Sequence, residues 1–91
     1  AQPLIPADPL AEALCSYELS PAPDIRKALA LRALELSKLR SSLVQRHVTA
    51  YLHDSGKAFS LRRSGMVSKA LECEGAAEYR VGELRKLGIS W

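Results

Sequence analysis

All five prolines of this chain, Pro3, Pro6, Pro9, Pro21 and Pro23, lie within its first 23 residues. Proline removes a backbone donor and clashes with the preceding turn, so the front of the chain is cut into short pieces while the rest is free to build long helices. Beyond Pro23, Ile25, Leu29, Ala33, Leu36, Leu39 or Arg40, Leu43, His47 and Ala50 recur at three- and four-residue steps. That period marks one buried helical face. Leu31, Leu34 and Val44 widen the stripe, so the segment meets more than one neighbour. Leu and Ala dominate and aromatics are few, a composition that favours helices over a sheet. The expected fold is all-α, a small bundle of three to four helices with an extended, proline-rich N-terminal segment. Residues 1–23 read as an arm with a short helix, and 24–91 as a helical domain that carries the binding surface.

Local signals place the elements. Asp8 and Pro9 suit the cap and first position of a short helix ending near Leu19. Asp24 reads as the cap of the next helix and Asp54-Ser55-Gly56 as its stop. The pattern leaves open whether 24–53 is one helix or breaks near Ser41-Ser42. A further helix is expected from Phe59 or Ser60 to about Glu74, burying Leu61, Met66 (or Gly65), Val67, Ala70 and Leu71. Gly75 then separates it from a last helix over 76–87 with Tyr79, Leu84 and Leu87 as its apolar positions. Leu87-Gly88-Ile89 has the form of a C-terminal cap, with Gly88 left-handed and Ile89 packed back.

The net charge of +3 hides an asymmetry. Residues 1–25 hold four carboxylates and no cation, whereas 26–69 hold ten cations against Glu35 and Asp54, a local balance of +8. A basic middle between acidic ends points to a polyanion-facing surface, against the plainer reading of solvated helix faces. Lys57, Ser60, Arg62, Arg63 and Ser64 gather at what reads as a loop-to-helix junction, where backbone N–H groups and the helix dipole add to the cations. Hydroxyls permit close approach to phosphate and sugar oxygens, and arginine binds them bidentately. The shallow minor groove of duplex RNA accepts such a loop. Arg40, Arg46 and Lys69 extend the basic surface along the helices. The alternative is an arginine pair that lays its stems along a helix start.

Catalysis finds little support. Neither His47 nor His53 has a nucleophile and an orienting carboxylate at recognisable spacing. The chain lacks GxGxxG, a phosphate-cradling GK[ST] loop and HExxH. Glu72, Glu74, Glu78 and Glu83 stand among Arg80, Arg85 and Lys86, an arrangement suited to surface ion pairs. No enzyme, cofactor, metal or small-molecule substrate is expected. Cys15 and Cys73 show no metal-ligand spacing and read as buried thiols of a reducing compartment. No apolar stretch approaches the roughly 20 residues of a membrane span. An opening Ala1 in place of methionine allows for a removed targeting peptide.

Three stretches resemble small-subunit ribosomal protein fifteen in its mitochondrial-type form. Residues 8–20 followed by Asp24-Ile-Arg-Lys27 resemble the extension into that family's first helix. Leu43-x-x-Arg46 and Leu52, then Ser60-Leu-Arg62-Arg63 and Met66-Val-Ser-Lys69, resemble its second helix, loop and Ser-Arg-Arg helix start. Glu78-Tyr-Arg-Val-Gly-Glu-Leu-Arg-Lys-Leu-Gly-Ile89 resembles its terminal Glu-Arg-Tyr…Leu-x-x-Lys-Leu-Gly-Ile and is the most specific of the three. The family's Asp-Thr-Gly-Ser-Pro-Glu-Val loop is missing, an expected aspartate is Ala58, and a basic run has become Lys69-Ala-Leu-Glu-Cys-Glu74. The resemblance carries over Ser60, Arg62 and Arg63 as RNA contacts, with Lys57 and Lys69 beside them. It implies a structural constituent of the small ribosomal subunit that binds small-subunit rRNA among neighbouring ribosomal proteins, located in the mitochondrial matrix, with the cytoplasm or another organelle as further settings. The alternatives are an accessory subunit of a mitochondrial membrane complex and a helical adaptor that pairs through the 25–50 stripe.

Overall fold

The computed structural model describes residues 8–91, all of whose regular elements are α-helices. The expected extended course of residues 1–7 lies outside the described residues. The chain runs as α1 (Pro9–Leu19), α2 (Pro23–Ser37), α3 (Ser42–Arg63) and α4 (Val67–Lys86). α1 pairs with α2, α2 leans on α3, and α3 forms an antiparallel hairpin with α4.

Asp8 caps α1 as expected, its carboxylate accepting from the Leu10 amide at 2.9 Å with Pro9 at the first helical position. The same carboxylate takes both contacts from Arg40 Nη2 at 2.6 Å, tying the start of α1 to the turn between α2 and α3. Burial works to raise the Asp8 carboxyl, but the hydrogen bond from Arg40, the Leu10 amide and the Arg40 charge outweigh it and hold the group below its ordinary range. Asp24 is not a cap. Pro23 takes the first helical position, where its fixed φ and missing N–H cost nothing, so Ala22 becomes the cap residue and Asp24 sits inside the first turn.

The 24–53 segment breaks. α2 ends at Ser37, Leu39 and Arg40 close tight turns onto Leu36 and Ser37, and Ser41 caps α3 by accepting from the Val44 amide at 3.3 Å. A capping serine on extended backbone thus outweighs the continuous apolar spacing. Asp54-Ser55-Gly56, in contrast, stops nothing: α3 continues through it to Arg63. An interior glycine costs only about 1 kcal/mol, and Tyr51, Leu52 and Ala58 are buried on either side of it. The reversal comes at Ser64-Gly65-Met66, where Gly65 adopts φ +79° and the Met66 amide donates back to Leu61 at 2.9 Å. Likewise α4 does not break at Gly75, because Ala70, Ala77, Val81 and Leu84 carry one buried stripe past it. The Leu87-Gly88-Ile89 cap forms as read: Gly88 has φ +90°, Ile89 donates to Leu84 at 3.0 Å, and its side chain is fully buried.

The apolar assignments shift accordingly. Ala33, Val44 and His47 are buried, but Ile25, Leu31, Leu39, Leu43, Met66, Val67, Leu71 and Tyr79 are exposed. Much of the interior is instead supplied by α1, whose Leu10, Leu14 and Tyr17 are almost wholly enclosed. Arg26 joins α1 and α2 to α3. Only 8% exposed, its guanidinium lies 4.1 Å from the Tyr17 ring and 4.2 Å from the Phe59 ring, and Nη1 donates to the Tyr17 carbonyl at 3.0 Å. Tyr17 meets Tyr51 edge-on, and Tyr51 meets Trp91, whose indole N–H donates to Glu18 at 2.9 Å. Burial, then the Glu18 charge, pushes the Tyr51 phenol up. Cys15 and Cys73 are free and half-buried. Among the described residues, no helix is long and apolar enough to cross a membrane.

Candidate nucleic-acid interface

Running α3 unbroken to Arg63 rearranges the basic residues. Ser42, Arg46, Thr49, His53, Lys57 and Ser60 follow one another at steps of three and four, and all are exposed. They therefore form a single outward face of α3, about 27 Å long at the rise of an α-helix. The face carries cations and hydroxyls and no carboxylate. Asp54, just beside it, accepts from His53 Nδ1 at 3.4 Å.

Neighbouring helices add a cation on each flank. On the α4 side, Arg80 borders a groove of about 670 Å³ together with Arg46, Thr49 and His53. On the α2 side, Lys27 borders a smaller hollow of about 290 Å³ with Gly56 and Ser60. Arg80 Nη1 donates to His47 Nδ1 at 3.0 Å. Arginine has no acceptor, so in this contact the ring nitrogen is the accepting partner.

Of the residues nominated from the sequence, Arg46, Lys57 and Ser60 meet on this face. Arg40 does not: it is committed to Asp8. Arg62 points the other way and forms a two-pronged ion pair with Glu74, Nη2 donating at 2.8 Å and Nε to the second oxygen. That pair raises the Arg62 guanidinium and lowers the Glu74 carboxyl, the hydrogen bond leading in both. Arg63 lies 5.7 Å from the Phe59 ring at the end of α3, and Lys69 is exposed in the first turn of α4. The loop-to-helix junction expected at 57–64 does not exist. Ser60 to Arg63 form the last turn of α3, where carbonyls and the negative end of the dipole project, so backbone N–H groups offer nothing to phosphate there. Arg62 and Arg63 suit that position for a structural reason, as cations at a helix C-terminus.

Sequence reasoning missed Ser42, Thr49, His53, Lys27 and Arg80 as neighbours of this surface. The signal is a 3.6-residue period in cations and hydroxyls, which a helix stop at Gly56 conceals. Comparison of the chain with family models, curated proteins and solved structures finds no match. The ribosomal resemblance therefore rests on its own residues.

Proposed function

We propose that this chain is a non-catalytic RNA-binding protein, a structural constituent of a ribonucleoprotein particle, and that the exposed face of α3 is its phosphate-contacting surface. The observation that carries the reading is the carboxylate-free row of Arg46, His53 and Lys57 interleaved with Ser42, Thr49 and Ser60, flanked by Lys27 and Arg80. The aromatic side chains favour backbone contact over base stacking. Tyr17, Tyr51, Phe59 and Trp91 are engaged with one another or with Arg26, leaving Tyr79 as the exposed ring among the described residues.

In its narrowest form the proposal places the chain in a mitochondrial-type small ribosomal subunit, bound to small-subunit rRNA in the matrix, a step supported by the resemblance alone. Leu39 and Leu43, exposed around the α2–α3 turn, would then meet a neighbouring ribosomal protein. The test is co-sedimentation of the tagged chain with small ribosomal subunits, with and without ribonuclease. Release by ribonuclease is expected; retention in a particle that ribonuclease does not disturb would place the protein in a protein-held complex instead.

A further inference from the structure

Most of the eight arginines have a partner within the molecule. Arg40 and Arg62 are held by carboxylates, Arg26 and Arg63 lie over aromatic rings, and Arg85 donates to the Trp91 carbonyl. Arg32 is exposed on α2, while Arg46 and Arg80 are set apart by their shared position. They border the same groove between α3 and α4, and among the described residues neither reaches a carboxylate at ion-pair distance. Arg80 is half-buried, lies 5.4 Å from the ring of Tyr79, and has as its hydrogen-bond partner Nδ1 of buried His47. The one carboxylate on the rim, Asp54, faces His53.

Two guanidiniums that border one concave space repel each other, and a bridging anion turns that repulsion into binding. The groove's volume of about 670 Å³ lies within the range of small-ligand sites. Its neutral lining contributes the Ser42 hydroxyl and the Gln45 amide, while Thr49 spends its proton on the Gln45 carbonyl at 2.8 Å. The donor set, two forked cations with neutral donors beside them, matches a tetrahedral oxyanion.

We propose that this groove is a discrete phosphate site, in which Arg46 and Arg80 ligate phosphoryl oxygens and His47 positions Arg80. The site rests on the RNA reading for its occupant, a backbone phosphodiester; a phosphate ester of a small molecule presents the same oxygens.

The test is calorimetric titration of the whole chain with pyrophosphate and, separately, with a short RNA duplex lacking terminal phosphates. Pyrophosphate is expected to bind, and Arg46→Gln and Arg80→Gln each to weaken it about tenfold or more, the loss of a charge-assisted contact. Lys38→Gln, at a cation that does not line the groove and is paired with Glu35, leaves binding unchanged. His47→Leu should weaken pyrophosphate binding, and His47→Asn, which keeps an acceptor, should restore most of it while both variants stay helical by circular dichroism. Absent pyrophosphate binding, or binding unaltered in both arginine variants, overturns the site. RNA binding that survives both arginine substitutions but falls with Lys57→Gln also overturns it, while leaving the α3 surface standing. Pyrophosphate held by the two arginines with no RNA bound by any variant upholds the groove with a small-molecule occupant, and removes the RNA reading instead.

Discussion

Replacing Lys57 and Arg62 separately by glutamine distinguishes a cation of the proposed RNA surface from one that is paired within the fold. Lys57 stands on the exposed face of α3, whereas Arg62 is bound through two nitrogens to Glu74. Four cations border the proposed surface: Lys27, Arg46, Lys57 and Arg80. Each neutralised duplex phosphate contributes roughly −0.9 to the slope of log K against log salt, giving about −3.6 for the wild-type chain. Affinity should then fall about 150-fold between 50 and 200 mM salt. Lys57→Gln removes one contact, so its slope becomes about −2.7 and the loss over the same range about 40-fold. Arg62→Gln removes no RNA contact, and its slope stays at the wild-type value even though Glu74 loses its partner. Filter binding with one RNA duplex across a salt series measures all three slopes. An unchanged slope for Lys57→Gln, or an equal drop for Arg62→Gln, would refute the assignment of the interface to α3.

Other consequences follow from the packing. Arg26→Leu removes the shorter of the two hydrogen bonds to the Tyr17 carbonyl and the cation between two rings; equilibrium denaturation should show a loss of about 2–3 kcal/mol, and a loss under about 0.5 kcal/mol would contradict its role in joining α1 and α2 to α3. Asp8→Ala removes a helix cap and should cost about 1 kcal/mol at neutral pH. Because the folded carboxyl lies below its ordinary range, the wild type loses this contribution only as pH falls through the acid carboxylate range, so wild type and variant should converge in melts taken at decreasing pH. Gly75→Ala, within a helix and facing open space, should stabilise the protein by roughly 0.5–1 kcal/mol, whereas Gly88→Ala, at φ +90°, should cost about 1 kcal/mol; thermal melts that fail to move in opposite directions would contradict the continuity of α4 or the cap.

The fold class was legible because proline placement and aliphatic spacing both report on backbone geometry over long windows. The caps at Asp8 and Gly88 were legible for the same reason, since each depends on neighbours within a few residues. The interior glycines were not. Gly56 and Gly75 carry the same letter as Gly65 and Gly88, and only the buried residues on either side decide whether the helix runs on. Placing a stop at Gly56 then gave Arg62 and Arg63 to a helix start, when they occupy a helix end. The buried role of Arg26 was illegible too, because its partners Tyr17 and Phe59 come from α1 and α3. Arg46, Lys57 and Ser60 were nominated for charge and spacing, and the intact α3 brings them together.

The claim that the face of α3 meets RNA is tested most directly by amide chemical-shift mapping of the whole chain titrated with an RNA duplex. The account predicts the largest changes at Arg46, Thr49, His53, Lys57 and Ser60, with smaller ones at Lys27 and Arg80. Changes concentrated at the α3–α4 turn around Arg62 to Lys69, or on the outer face of α4, would contradict it.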